Sequence, residues 1–435
     1  MAQIALQAPA LTVARRQPAR RWMSAAAIIG ALVALPVLAL AWEALQGSTG
    51  LWPHLLTYVL PPALSQTATL LLGVGIVVTV IGTSTAWLVT AYDFPGRRQL
   101  EWALLLPLAV PTYIIAYAYL DILHPLGPVQ GAIRALLGYS SPREFRLPDI
   151  RSMTGCIVLL GFVLYPYVYI TTRAMFLTQA ANLVEVSRTL GTRRGQLFRR
   201  VALPLARPAI AVGVSLALME ALNDIGASEF LGVRSLTISV YTTWVTRADL
   251  PGAAQIALAM LVLVVALVVV ERWARRRQRY WTAAQRSRSF APHRLPPLPG
   301  LAALALGLLP VLVGFAAPAL YLAVEALRRF RFNGISDRLL SEAVNTVVLA
   351  AIATGIVLLF GVIMAYTARS RPGRVAAALQ RLSTIGYAMP GTVIAIGILV
   401  PIAALDQVID RAASAWLGVS TGLLLIGSGA ALDPI

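Results

Sequence analysis

Long apolar runs recur along this chain, separated by short breaks rich in arginine. Ala25–Leu45, Thr67–Ala91, Trp102–Leu123, Ser152–Arg173, Ala209–Phe230 and Pro251–Val270 each match the ~20 residues that cross the hydrocarbon core of a bilayer. Leu301–Leu327 and Ser341–Ala368 repeat the pattern, and a further run carries Pro390 and Pro401. No water is available inside lipid to satisfy backbone N–H and C=O groups, so such runs are expected to be helices. Hydrophobic residues make up 58% of the 435, and the mean hydropathy is +0.75. The expected fold class is therefore an all-α, polytopic membrane protein.

The formal net charge is +18. On a soluble chain that excess would point to nucleic acid. Here the arginines sit between apolar runs, and the positive-inside rule accounts for them without a nucleic-acid partner. It places the tail, residues 1–22, in the cytoplasm. Residues 271–299 set Arg272, Arg275, Arg276, Arg277, Arg279, Arg286, Arg288 and Arg294 against a lone Glu271 and end in prolines. This reads as a basic cytoplasmic linker that faces anionic headgroups, at ~1 kcal/mol per charge near the bilayer surface. It divides a first half, residues 23–270, from a second, residues 300–435. Arg328, Arg329, Arg331 and Arg338 fall on the outer side of this topology, against the rule.

The halves echo each other. Phe94-Pro95-Gly96-Arg97 closes one run and Arg371-Pro372-Gly373-Arg374 another, and a proline-bearing run follows each. Weak internal duplication of this kind marks a two-fold transporter body. By that symmetry a tenth span begins near Val419 and its following loop lies beyond Ile435. The expectation is one complete half of about six helices and an incomplete second half of about four.

Chemistry is excluded more readily than assigned. Every basic side chain except the histidines is arginine, so the lysine that a P-loop needs is absent and ATP hydrolysis must come from another subunit. His54, His124 and His293 have no metal-ligand spacing, and the single Cys156 excludes an intrachain disulfide or cysteine metal cluster. No catalytic residue, cofactor or resident metal is expected. The candidate substrate path is Glu220, Asn223 and Asp224, at i, i+3 and i+4, with Glu229 beyond. A charge at mid-bilayer costs ~2.5–3.5 kcal/mol by insertion scales, so such groups face a cavity, a partner or the substrate. The competing reading is pairing with arginine or helix termination at the interface. Tyr165-Pro166-Tyr167-Val168-Tyr169 reads as an interfacial aromatic belt.

Between the fourth and fifth runs lies Glu185 to Pro204, EVSRTLGTRRGQLFRRVALP. Gly191 permits a sharp turn. Leu197, Phe198 and Val201 recur at helical spacing, and Pro204, which has no N–H, is expected to limit that helix. The segment resembles the cytoplasmic coupling loop of ABC-transporter permeases: E-A-A, three residues, G, nine residues, I, one residue, L-P. Glu185, Gly191, Leu203 and Pro204 match; Val186 and Ser187 replace the two alanines and Val201 the isoleucine. The resemblance implies an ABC importer permease fold with residues 178–206 docked on a cytoplasmic ATPase dimer.

More narrowly, Phe94–Tyr119, Val163–Ile170, Ala217–Trp244 and Gly386–Leu399 resemble the fused two-half permeases of bacterial ferric-iron uptake systems. That resemblance implies a multi-pass protein of the bacterial inner membrane, fed by a periplasmic binding protein and moving ferric iron by alternating access. The alternatives are an ABC permease for another small solute, such as thiamine or a phosphonate, and a secondary transporter that needs no ATPase.

Overall fold

The computed structural model describes residues 16–47, 50, 52–178, 194–276, 292–334, 337–370 and 373–417. Seven described helices are long and apolar enough to cross a membrane, or eight if one sharply bent pair counts as a span. Every regular element among the described residues is helical but for one two-residue strand pair.

The chain divides into two compact units. One comprises residues 43–332 with 390–393, and the other residues 1–42, 333–389 and 394–435. The grouping follows contact, not position along the chain.

In the larger unit the centre is α2 (Leu60–Ala91), α6 (Met153–Thr178) and α7 (Leu203–Asn223), each packed on the other two. α2 runs on from the turns at 52–59, so a continuous helix of 40 residues replaces the shorter expected span. Five of its threonines bond within the helix: Thr67, Thr69, Thr79, Thr85 and Thr90 each donate to the carbonyl four residues back. Small residues let the helices approach closely, as membrane packing favours. Along the α2–α6 contact, Gly73 faces Ile157, Gly161 faces Val77 and Gly82 faces the Tyr165–Tyr169 backbone. On the other side of α6, Gly213 of α7 lies against Val168 and Tyr167.

The expected span Trp102–Leu123 is broken. α3 (Arg97–Ala103) and a 3-10 turn (Leu106–Ala109) are followed by α4 (Thr112–Ile122), with a bend of 92°. The cause is local. Pro111 pushes the preceding Val110 into the extended region (φ −116°, ψ 129°), so the helix cannot pass through. The expected fifth span, Ala209–Phe230, is shifted. The continuous helix runs Phe198–Asn223, and the chain then turns into the short α8 (Gly226–Phe230). α5 (Pro128–Leu137) occupies part of the expected polar loop 124–151. α9 (Leu236–Tyr241) and α10 (Leu250–Arg276) complete the first-half helices.

Pro204 does not stop its helix. A π-turn at Phe198–Ala202 precedes it, and Leu203 N–H reaches back to Phe198 O. The same arrangement recurs at Leu55–Val59 before Pro61 and at Leu312–Ala316 before Pro318. Each π-turn ends two residues ahead of its proline. Widening the turn gives the ring room that a regular α-helix denies it. At the third site Pro318 cannot donate to the Val313 carbonyl, and the Tyr119 hydroxyl donates to it instead.

α11 (Pro297–Val311) and α12 (Ala317–Asn333), joined by that π-turn, also belong to the larger unit. β1 (Tyr92–Asp93) pairs in parallel with β2 (His293–Arg294), and Leu295 N–H donates to Asp93 O at 2.9 Å. Two of the four arginines that defy the charge rule have local partners: Arg328 pairs with Glu325 at 2.8 Å and Arg338 with Glu342 at 2.9 Å.

In the smaller unit α1 (Arg16–Leu45) packs with α13 (Asp337–Ser370), α14 (Arg374–Ala388) and α15 (Gly391–Leu417). Ala26, Ile29 and Met364 form its buried cluster, with Phe360, Ile363 and Leu379 against them. Trp22 and Tyr366 stack with ring centroids 4.8 Å apart. Gly397 lies against the Pro36 carbonyl, a position where any side chain would collide with main chain. The expected tenth span, from Val419, lies outside the described residues.

The connection 138–152 contains an anion-stabilised turn. The exposed Glu144 carboxylate accepts the Ser140 N–H at 2.8 Å and the Ser141 N–H at 3.2 Å. These backbone bonds hold its carboxyl below the ordinary carboxylate range. A depressed folded-state value means that the stabilisation is full above the ordinary carboxylate pKa and is lost as pH falls through the depressed one. The protection of the Ser140 and Ser141 amides, measured as exchange rate relative to the intrinsic rate at each pH, is therefore expected to be high at neutral pH and to be lost in acid. A Glu144→Gln chain should show fast exchange at both.

Candidate functional site

The segment expected to dock an ATPase is described only in part. Glu185, Val186, Ser187 and Gly191 lie outside the described residues. Val201 is half-buried in the π-turn, and Leu203 and Pro204 open α7. What is described are the two stems that flank it. One is the end of α6, carrying Arg173 and the buried Phe176; the other is Arg194–Leu197 and the π-turn, carrying Phe198.

The stems stand on a half-buried ionic cluster. Glu101 of α3 accepts from Arg173 at 2.8 Å and pairs with Arg97 at 3.1 Å. Arg97 also donates to Val89 O at 2.7 Å, tying the turn after α2 back onto that helix. Asp93 of β1 lies 4.0 Å from Arg97 and 3.6 Å from Arg294 of β2. The Tyr169 hydroxyl donates to Glu101 O at 2.8 Å. Partial burial makes the two Glu101 pairs worth more than a surface pair, and removal of one partner strands the other; Arg294, 92% exposed, adds only a surface pair. Phe94-Pro95-Gly96 makes the turn beneath: Gly96 is left-handed at φ 80°, where a side chain is strained.

The acidic candidates are brought together selectively. Glu220 accepts a hydrogen bond from the Tyr167 side chain of α6 and feels the charge of Asp224, four residues on. Asp224 ends α7 with an extended backbone (φ −78°, ψ 104°). Its Oδ1 accepts the Ala227 N–H at 2.7 Å and so caps α8, and its carboxylate also accepts from the Thr112 side chain. Its Oδ2 is buried without a hydrogen-bond partner among the described residues. Asn223 is half-buried beside it, while Glu229 is exposed on α8 and outside this group. Gly226 makes the junction possible, because a Cβ there would sit 2.5 Å from Tyr113 Cβ.

Two polar partners escaped the sequence. Thr112 follows the break at Pro111, and a proline in a span was the available signal. Tyr167 lies in the cluster expected to be an interfacial belt. That expectation is corrected: Tyr165 and Tyr169 are 0% and 1% exposed, enclosed where α6 meets α2 and α3, not ringing an interface.

Residues 79–280 match the family model described as the inner membrane component of binding-protein-dependent transport systems. Relatives agree. The chain is 31% identical over 190 residues to the sulfate transport system permease protein CysT of Salmonella typhimurium, covering 42% of this chain and 64% of that one. It is 27% identical over 201 residues to the molybdenum transport system permease protein ModB of Escherichia coli, covering 45% and 84%. The ModB of Mycobacterium bovis is 31% identical over 264 residues, covering 58% of this chain and 92% of the relative. With spans packed through glycines, and with the matched region running from α2 to just beyond α10, the chain belongs to the family of inner-membrane components of binding-protein-dependent transport systems, multi-pass permeases that carry no catalytic site and work with a solute-binding protein and an ATPase.

Proposed function

We propose that this permease imports ferric iron, by alternating access driven by an ATPase that docks on residues 178–206. The end of the bundle that carries Arg97, Arg173 and Arg294 faces the cytoplasm in this reading, as does the N-terminus, in keeping with the positive-inside rule. Binding of ATP favours one of two arrangements of the helices, and hydrolysis returns the other.

The observation that carries the substrate class is the buried Oδ2 of Asp224, which has no hydrogen-bond partner among the described residues and stands four residues after Glu220 at the end of the same helix. Carboxylate oxygens are hard donors suited to a hard cation. Toward an oxyanion they are repulsive, by about 3 kcal/mol per pair of unit charges at ~5 Å and an effective dielectric of ~20. The second reading is a sulfate- or molybdate-like oxyanion, favoured by the names of the relatives.

The test reconstitutes the chain with its ATPase in liposomes and adds solute-binding proteins loaded with ferric iron, sulfate or molybdate. Severalfold stimulation of ATP hydrolysis by the iron-loaded protein alone is expected. Stimulation by an oxyanion-loaded protein, with none from the iron-loaded one, replaces iron by the second reading. Glu185→Arg and Gly191→Trp should each abolish co-purification of the ATPase, and a complex retained in both removes the docking assignment.

A further inference from the structure

Trp87 lies on α2, one turn before the helix ends at Ala91. Its ring contacts both stems of the segment 179–193. The centroid of Phe176, on the α6 stem, is 5.3 Å away at 75°, and that of Phe198, on the π-turn stem, is 5.2 Å away at 43°. Phe176 is 1% exposed, so this contact belongs to the packed interior of the bundle end. One indole thus bridges two chain segments that are 22 residues apart in sequence and joins both to a third helix.

We infer that Trp87 is a positioning residue for energy coupling: it holds the two stems in fixed register and passes their displacement to α2. The proposal rests on the reading that an ATPase acts at this end of the bundle. Three features support transmission. First, α2 is the helix against which α6 is seated through Gly73 and Gly82, so a shift delivered to α2 reaches the centre of the bundle. Second, the last turn of α2 is stiffened by Arg97, which bonds to the Val89 carbonyl and pairs with Glu101. Third, Glu101 also holds Arg173 on the α6 stem, a second tie between the same stem and the same turn. Among the described residues the stem that carries Phe198 makes no ion pair with this cluster, and the indole is its aromatic link to α2.

An aromatic ring is required because the bridge spans two centroids each more than 5 Å away. Rings reach this far in edge and tilted geometries, and a branched aliphatic side chain fills less of the gap. Trp87→Leu keeps an apolar residue and removes the bridge, while Trp87→Phe restores a ring.

Two measurements test the role. In liposomes containing the full complex and its loaded binding protein, solute moved per ATP hydrolysed is expected to fall at least fivefold in Trp87→Leu. Trp87→Phe should return it to within about twofold of the unmodified chain. In the purified chain alone, with Cys156→Ala as background, spin labels at Leu177→Cys and Gln196→Cys are expected to give one narrow distance with Trp or Phe at 87. A broadened distribution is expected with Leu.

Unchanged transport per ATP in Trp87→Leu overturns the coupling role whatever the distances show. A narrow distance in Trp87→Leu overturns the fixed-register claim. If Trp87→Leu does not fold, Phe198→Leu removes one contact and leaves the indole in place. It should then show the same loss of transport per ATP, and normal transport overturns the proposal. Failure of the unmodified complex to transport under ATP removes the importer reading instead, and the distance measurement still decides on the stems.

Discussion

A Gly82→Leu chain is expected to lose its assembled helix bundle. A Cβ at Gly82 would lie 2.6 Å from Val168 Cβ and 2.9 Å from both Tyr165 O and Tyr169 N. Two of those three atoms are main chain, so no rotamer change relieves the collision. Nor can α6 retreat, because on its other side Gly213 already brings α7 to the Val168 backbone: a Cβ there would lie 2.6 Å from Val168 Cα. Ordinary overpacking costs about 1–3 kcal/mol. Here α6 is confined from both sides, and the cost should sit at or above the top of that range. The temperature at which half the detergent-solubilised chain still elutes as a single species should fall by about 10 °C or more. Gly75→Ala is the matched control. Its Cβ would meet Leu218 Cδ2 at 3.6 Å and Leu218 Cδ1 and Val214 Cγ1 at 3.9 Å, all ordinary contacts, and the midpoint should move by about 2 °C or less.

Asp224→Asn is expected to lower solute transport at least tenfold while leaving the fold in place. The asparagine oxygen can still accept the Ala227 N–H, so the cap on α8 survives. What is lost is the negative charge beside Glu220 and the second carboxylate oxygen, which the fold leaves buried and without a partner. A buried group of that kind calls for a ligand or a function. Asp224→Ala removes cap and charge together and should add a stability loss of about 1 kcal/mol. Comparing the two separates structure from transport. Wild-type uptake by Asp224→Asn, measured with the complete complex, would falsify the assignment of this carboxylate to the substrate path.

The sequence made the spans legible because lipid imposes a single demand, an apolar run of sufficient length with internal hydrogen bonds. It was least informative at prolines. Pro111 and Pro204 look alike on the page as helix breakers. One breaks its span by 92°, and the other is absorbed by a π-turn. The difference lies in the surroundings. Val110 is driven extended and the chain is received by a neighbouring packing site, as Gly226 against Tyr113 shows. At Pro204 the helix continues straight into the packed α7. Tyr165 and Tyr169 were misread for a related reason: aromatic residues near the end of a span suit an interface or an interior equally, and only the partner helix decides. The pairing of Glu220 with Asp224 was visible as helical spacing. Its hydroxyl partners Thr112 and Tyr167 come from two other segments and had no local signature.

The membership of the smaller unit has a bearing on biosynthesis. The part of α1 before Glu43 packs, among the described residues of its unit, on segments after 332: Trp22 meets Tyr366 and Thr367, Gly30 meets Leu379, and Pro36 meets Gly397. Ribosomes add roughly 5–20 residues each second, so the newly inserted first helix spends roughly 15–60 s in the bilayer before those partners emerge. Throughout that interval the body of the helix must hold its place in the bilayer by its own apolar length, with Gln255 reaching only the Ala44 carbonyl at its far end.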